Sequence, residues 1–105
     1  MATNYAAGRA FEYRTRDALL KEGAVYVMRA AGSHGKADLA AFFPDFGQGI
    51  PDVFLVQCKR DGRLSAADAA ELIEIAVETG TTPMLAKAGP KGRGVVFIDL
   101  LTEGA

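Results

Sequence analysis

The sequence predicts an α/β fold: a single domain over residues 1–105 with a central mixed β-sheet flanked by helices. Three observations predict it. The chain of 105 residues is long enough for one compact core and too short for two. Its residues are 50% hydrophobic and 24% charged, an ordinary globular balance. Hydrophobic periodicity then reads helix, three strands, helix, two strands, with no repeat and no interdomain linker, an order that a mixed sheet with helical crossovers accommodates.

Residues 4–22 form the first expected helix, with Tyr5, Ala7, Phe11, Ala18 and Leu19 as its apolar stripe and Gly23 as its stop. AVYVMR, residues 24–29, is β-branched and aromatic and predicts a strand. The glycine-rich AGSHGK loop follows, then the strand DLAAFF, ended by Pro44. PDFGQGIPD, residues 44–52, is turn chemistry throughout and leads into the strand VFLVQCK. Asp61-Gly62 makes a turn. Ser65 with Asp68 three residues on resembles a capping box, opening a helix to about Thr79 with Gly80 at its C′ position. PMLAK and GVVFIDL close the domain as two strands around AGPKGRG.

A single cysteine, Cys58, excludes an intrachain disulfide and suits a reducing compartment. One Cys and one His also exclude a Cys/His zinc cluster within one chain. The N-terminal MATNYAAGRAFEYR lacks a signal peptide's apolar segment, and no run is long enough to span a bilayer. The expectation is a soluble, cytoplasmic protein with no membrane partner. The net charge of −1 does not advertise a nucleic-acid partner, but its distribution does more. Residues 64–80 hold Asp68, Glu71, Glu74 and Glu78 and no Lys or Arg. With that acidic helix set aside, basic residues outnumber acidic ones, so a basic face is compatible with the acidic pI.

The strand PDVFLVQCKR turns polar just before it stops. Side chains alternate along a strand, so Gln57 and Lys59 share one face while Phe54, Val56 and Cys58 share the other, which reads as core with an inert thiol. Two readings of Gln57 and Lys59 stand: a solvated strand end, or one half of a metal-dependent site. Asp52 cannot complete such a site, lying an odd five residues away, roughly 16 Å along an extended strand at about 3.3 Å per residue. Asp38 can. It opens DLAAFF, and antiparallel pairing with VFLVQCK would set it beside Gln57 and Lys59, although it could equally cap the turn after Lys36. Glu12, near the edge of the first helix's apolar stripe, is a further candidate acid, or else a solvated one. The loop G-S-H-G-K is no P-loop, because it is too short and continues with Ala37. Ser33 and Lys36 suit phosphate contacts, the glycines permit close approach of backbone to DNA, and His34 reads as a loop surface residue rather than a general base.

The strings GRAFE, VMRAAGSHGKAD and VFLVQCK together resemble the archaeal-type Holliday junction resolvases and their phage-encoded relatives, within the restriction-endonuclease-like (PD-(D/E)xK) nuclease superfamily. The motifs cover roughly the first sixty residues, and the remaining helix and two strands fit that fold's order. The resemblance implies a divalent-metal site of Glu12, Asp38 and Gln57, holding Mg²⁺ with Mn²⁺ able to substitute, and Lys59 as the catalytic lysine. It also places Arg29 before the loop and Ser33 within it. DNA contacts are expected from Arg9, Arg29, Ser33, His34, Lys36 and Arg60. In two places the chain departs from the family's pattern. Gln57 stands where an acid is usual; its amide oxygen can coordinate Mg²⁺ but carries no charge. Tyr13 stands where Arg often follows the helix Glu.

The implied activity is structure-selective hydrolysis of four-way DNA junctions, in the host cytoplasm if the chain is phage-encoded. A junction needs two coordinated nicks, so one site per small domain implies a homodimer, and no small-molecule cofactor is expected. A nickase or repair nuclease of the same superfamily, or a non-catalytic junction-binding module, are the alternative readings.

Overall fold

The structure, a computed structural model, describes residues 4–30, 37–45, 49 and 52–102. Helix α1 spans Asn4–Lys21, followed by strands β1 (Tyr26–Arg29), β2 (Leu39–Phe42) and β3 (Val53–Cys58). Helix α2 (Ala66–Thr79) then leads to β4 (Thr82–Ala88) and β5 (Val95–Asp99), with a single 3₁₀ turn, Pro90–Gly92, between them. Among the described residues the five strands form one sheet in chain order, antiparallel except for the parallel pair β3–β4. That one parallel step follows from α2, since only a crossover carries the chain back to start beside β3 in the same direction. The sheet is therefore mixed, as the element order predicts.

α1 stops where Gly23 adopts φ 114° and the Ala24 N–H turns back to the Leu19 carbonyl at 3.1 Å. This closure satisfies carbonyls of the last turn. It also delays the strand: Ala24 is used in the helix cap, so β1 begins at Tyr26 rather than at Ala24. At α2 the Ser65 side chain accepts the Asp68 N–H at 3.1 Å, and Gly80 is left-handed with its N–H on the Ala76 carbonyl. Both ends of that helix are placed as their residues predict.

The sheet buries both faces. Phe11 and Leu19 of α1 pack on Leu39, Ala41, Val56 and Ala86 of the sheet, with Phe54 and Cys58 against them. On the opposite face Leu72, Leu85 and Leu100 form a second, smaller cluster joined by Leu55 and Ile98. β3 runs through the middle, which is why VFLV is apolar without alternation. Val56 faces one core and Leu55 the other. α2 packs on β4 and leaves that face of β1 open, where Tyr26 and Met28 are exposed. Among the described residues no helix is long and apolar enough to cross a membrane.

Candidate active site

The strand directions bring the polar residues to one rim of the sheet. β1 ends there with Arg29, β2 begins there just after Asp38, and β3 ends there with Gln57, Cys58 and then Lys59. The pairing ends at Leu39↔Val56, so Asp38, one residue earlier, stands beside the end of β3 where Gln57 and Cys58 lie. Asp52 lies at the far end of β3, where its carbonyl accepts the Phe43 N–H at 2.8 Å, well away from this rim.

Asp38 is only 9% exposed and is built into the ladder. Its N–H bonds the Val56 carbonyl at 2.8 Å, and its own carbonyl accepts from Ala30 at 2.9 Å. Val56 already faces Leu39 in register, so the ladder slips by one residue at this point, as at a β-bulge. The side chain makes use of the slip. Its Oδ2 accepts the Cys58 N–H at 2.7 Å, standing in for the main-chain carbonyl that a continuing β2 would supply. Burial pushes the Asp38 carboxyl up from its ordinary range. The Cys58 N–H and the charges of Lys59 and Arg29 act in the opposite direction without cancelling the rise.

Glu12 reaches the rim from α1. It accepts a 2.8 Å charge-assisted hydrogen bond from Arg29 Nε, in a pair that is largely shielded from water. The Arg29 guanidinium also lies 5.2 Å from the centre of the Tyr13 ring, and Arg16 sits 5.1 Å from the same ring. Cys58, whose N–H holds Asp38, packs against the core under α1. Burial pushes its thiol up to about 12, and the charges of Asp38 and Glu12 both contribute, against a hydrogen bond with Thr15. That value keeps Cys58 protonated and inert at working pH. Arg29 ties Glu12 to the end of β1, and the next residue, Ala30, donates to the Asp38 carbonyl, so both acids belong to this rim.

Gln57 is placed differently. It pairs with Leu85 of the second cluster and alternates with Leu55, so it emerges on the α2 side of the sheet while Glu12 comes from the α1 side. Among the described residues no three His, Cys, Asp or Glu side chains gather as a metal cluster. The donors present are two carboxylates and one amide at a strand end, all hard oxygen ligands of the kind that suits Mg²⁺ or Mn²⁺. The raised Asp38 carboxyl points the same way: its anion is desolvated and undercompensated, so a further cation beside it would be favourable. The residues fit such an ion.

Lys59 donates its N–H to Ala86 at 2.9 Å, and its ammonium is close enough to Asp38 to lower that carboxyl. Arg60 is exposed in the following turn, and its carbonyl accepts from Ala88 at 3.0 Å. Arg9 is exposed on α1. Ser33, His34 and Lys36 lie outside the described residues. Two relations are invisible in the sequence. Arg29, expected on DNA, holds Glu12, which is expected on metal. Tyr13, a departure from the resembled pattern, is the ring against which Arg29 rests. Nothing in the spacing of residues 12, 13 and 29 signals either contact.

No family model and no curated protein matches the sequence. Among solved structures the chain is similar to Hjc, a Holliday junction resolvase from the archaeal hyperthermophile Archaeoglobus fulgidus. The match has a TM-score of 0.67 at 23% sequence identity, covering 90% of this chain and 74% of that one. The likeness shows the fold: this chain shares the architecture of that protein, a mixed five-stranded sheet with a helix on each face.

Proposed function

We propose that this protein is a Holliday junction resolvase, a divalent-metal-dependent endonuclease that cuts four-way DNA junctions by paired phosphodiester hydrolysis as a homodimer. The observation that carries the proposal is the placement of Asp38 and Glu12, with Lys59 and Arg29 beside them, at one rim of a fold shared with such a resolvase.

Asp38, Glu12 and Gln57 are the residues that would hold the ion. When bound, Mg²⁺ or Mn²⁺ supplies a more acidic water and offsets charge on the scissile phosphate. The chain's own groups do the rest. Asp38 is fixed by its bond to the Cys58 N–H, so its carboxylate needs no reorganisation. Lys59 follows the last residue of β3 and presents an ammonium that orients the attacking water and stabilises the extra negative charge on phosphorus. Arg29 holds Glu12 in one rotamer. Hydrolysis forms one P–O bond to water and breaks one P–O bond to the leaving sugar oxygen. Two such cuts, related by the junction's two-fold symmetry, require two copies of the site.

A cleavage panel tests the reading. With Mg²⁺, the wild type should cut a four-way junction in preference to flap and linear duplex, and removing the metal with EDTA should stop it. Asp38→Asn or Lys59→Ala should lower the rate by about a hundred- to a thousandfold, the scale of lost transition-state charge stabilisation, while junction binding in Ca²⁺ stays near wild type. Equal cutting of all substrates would instead favour a nickase or repair nuclease. A variant that cuts at wild-type rate would mean the site is misplaced.

A further inference from the structure

The segment AGPKGRG joins β4 to β5 and takes no part in the site described above. Its backbone closes tightly: Gly89 N–H to the Gly94 carbonyl at 3.3 Å, Gly92 to Gly89 at 3.0 Å, and Arg93 to Pro90 at 3.1 Å. A Cβ at Gly89 would collide with the Arg93 carbonyl, so only glycine allows this closure. Arg14 of α1 clamps it from outside, its Nη2 3.3 Å from the Gly94 oxygen. Lys91, at the tip, has φ 58° and is the only non-glycine with positive φ among the described residues. That conformation is strained for an L-residue with a Cβ. Gly92 and Gly94 adopt it without strain, so a glycine at 91 would relieve the strain and lose the ammonium. The result is a small braced tip holding two exposed cations, Lys91 and Arg93, with no acidic residue from 88 to 98. The nearest acid in the adjoining turn, Asp61, is engaged by Arg63.

The tip stands at the same rim as the site. β3 and β4 run parallel, so β4 ends where Lys59 emerges, and Ala88 bonds the Arg60 carbonyl there. A cleft of about 690 Å³ separates this corner from the start of α1, lined by residues including Gly8, Cys58, Lys59, Arg60, Asp61 and Ala88. The β4–β5 connection lies two to three strand spacings from β2, about 10–14 Å at ~4.8 Å each. The major groove of B-DNA is about 12 Å wide. A duplex with one strand at Asp38 would bring its other strand's phosphates within that distance range of the tip.

Given the nuclease reading above, on which this rests, we propose that Lys91 and Arg93 bind the phosphodiester backbone of the strand across the groove from the one at Asp38, within the same duplex arm. The contact is independent of sequence and sets the distance between the arm and the site.

The test is the salt dependence of junction binding, in Ca²⁺, by the full chain carrying Lys91→Gln and Arg93→Gln. Each lost phosphate contact removes about 0.9 from the slope of log affinity against log salt. The double variant should therefore lose about 1.8, so its affinity falls about twelvefold less than that of wild type between 50 and 200 mM salt. The charge-conserving pair Lys91→Arg and Arg93→Lys should keep the wild-type slope. Neutral methylphosphonate linkages placed across the groove from the scissile phosphate should weaken wild-type binding and leave the double variant unaffected. An unchanged slope in the double variant, or an equal methylphosphonate loss in both proteins, overturns the assignment while the nuclease reading stands. A wild type that binds no DNA overturns both.

Discussion

On the face of the sheet under α1 lie the buried Thr15 hydroxyl, the part-buried Cys58 thiol and the part-buried Arg29–Glu12 pair, with buried Asp38 at the rim; on the face under α2, the buried cluster is Leu72, Leu85 and Leu100. The same strands serve both. On the α1 side a broad apolar core lies beneath α1, and at its rim the polar groups are desolvated enough to shift: Asp38 upward, Cys58 to about 12. The α2 side is nearly free of such groups, and its helix turns Asp68, Glu71, Glu74 and Glu78 outward on exposed positions. Low dielectric is what gives a fixed charge its leverage, so the face proposed to host chemistry is the one that tolerates desolvated polar groups. The other face supplies packing.

The strongest way to break this division is to damage the apolar side. Leu72→Ala removes a side chain that is 1% exposed and should cost about 2–5 kcal/mol, read as a lower denaturant midpoint. Cleavage per folded molecule should stay at the wild-type level. A large fall in rate at temperatures where the variant is fully folded would show that the two faces are not separable.

Gln57 sits on the seam, alternating with Leu55 yet expected at the metal. Gln57→Glu is nearly isosteric and adds one negative charge. If the amide reaches across the strand end to the ion, the Mg²⁺ concentration for half-maximal cleavage should fall about tenfold, the equivalent of ~1.4 kcal/mol. The maximal rate need not rise, because a more negative site also makes bound water less acidic. Identical midpoints for the two proteins would assign Gln57 to the α2 face alone.

A smaller effect sharpens the cost of buried polarity. Because the folded-state pKa of Asp38 is raised, the native protein holds its proton more tightly than the unfolded chain, so stability falls as pH rises from 3.8 through the raised value. Asn keeps an acceptor for the Cys58 N–H and removes the charge. Asp38→Asn should therefore melt a few degrees higher than wild type at neutral pH. The gap should shrink as pH falls through the raised pKa and vanish below the ordinary carboxyl range. A lower Tm at neutral pH would mean that Lys59 and Arg29 outweigh the burial.

Much of this architecture is legible in local sequence signals. Gly23, the Ser65–Asp68 pair and Gly80 mark helix ends because capping is decided within a few residues. The adjacency of Asp38 to the end of β3 follows from two strands joined by a short turn segment, which leaves antiparallel pairing as the natural outcome, and Asp52 is excluded by parity and distance. The late start of β1 is missed because Ala24 and Val25 suit a strand by type, while the α1 cap needs Ala24. The Glu12–Arg29 pair is missed for another reason: two residues 17 positions apart meet only because α1 packs across β1. Parity also places Gln57 with Leu55, but which helix covers which face is a property of the whole chain.

The central position of β3 has a consequence for the order in which the protein is made. Glu12, Arg29, Asp38 and Lys59 all lie in the first sixty residues, and a ribosome delivers them before any of α2, β4 or β5. Until Thr82–Ala88 is available, β3 is an open edge: Lys59 lacks its Ala86 acceptor and Val56 its neighbour Met84. A parallel partner reached through a helix is among the slower pairings to form. A nascent chain thus carries four of the proposed site's side chains before the strand that positions one of them is anchored, and the proposed site is complete only once β4 has been made.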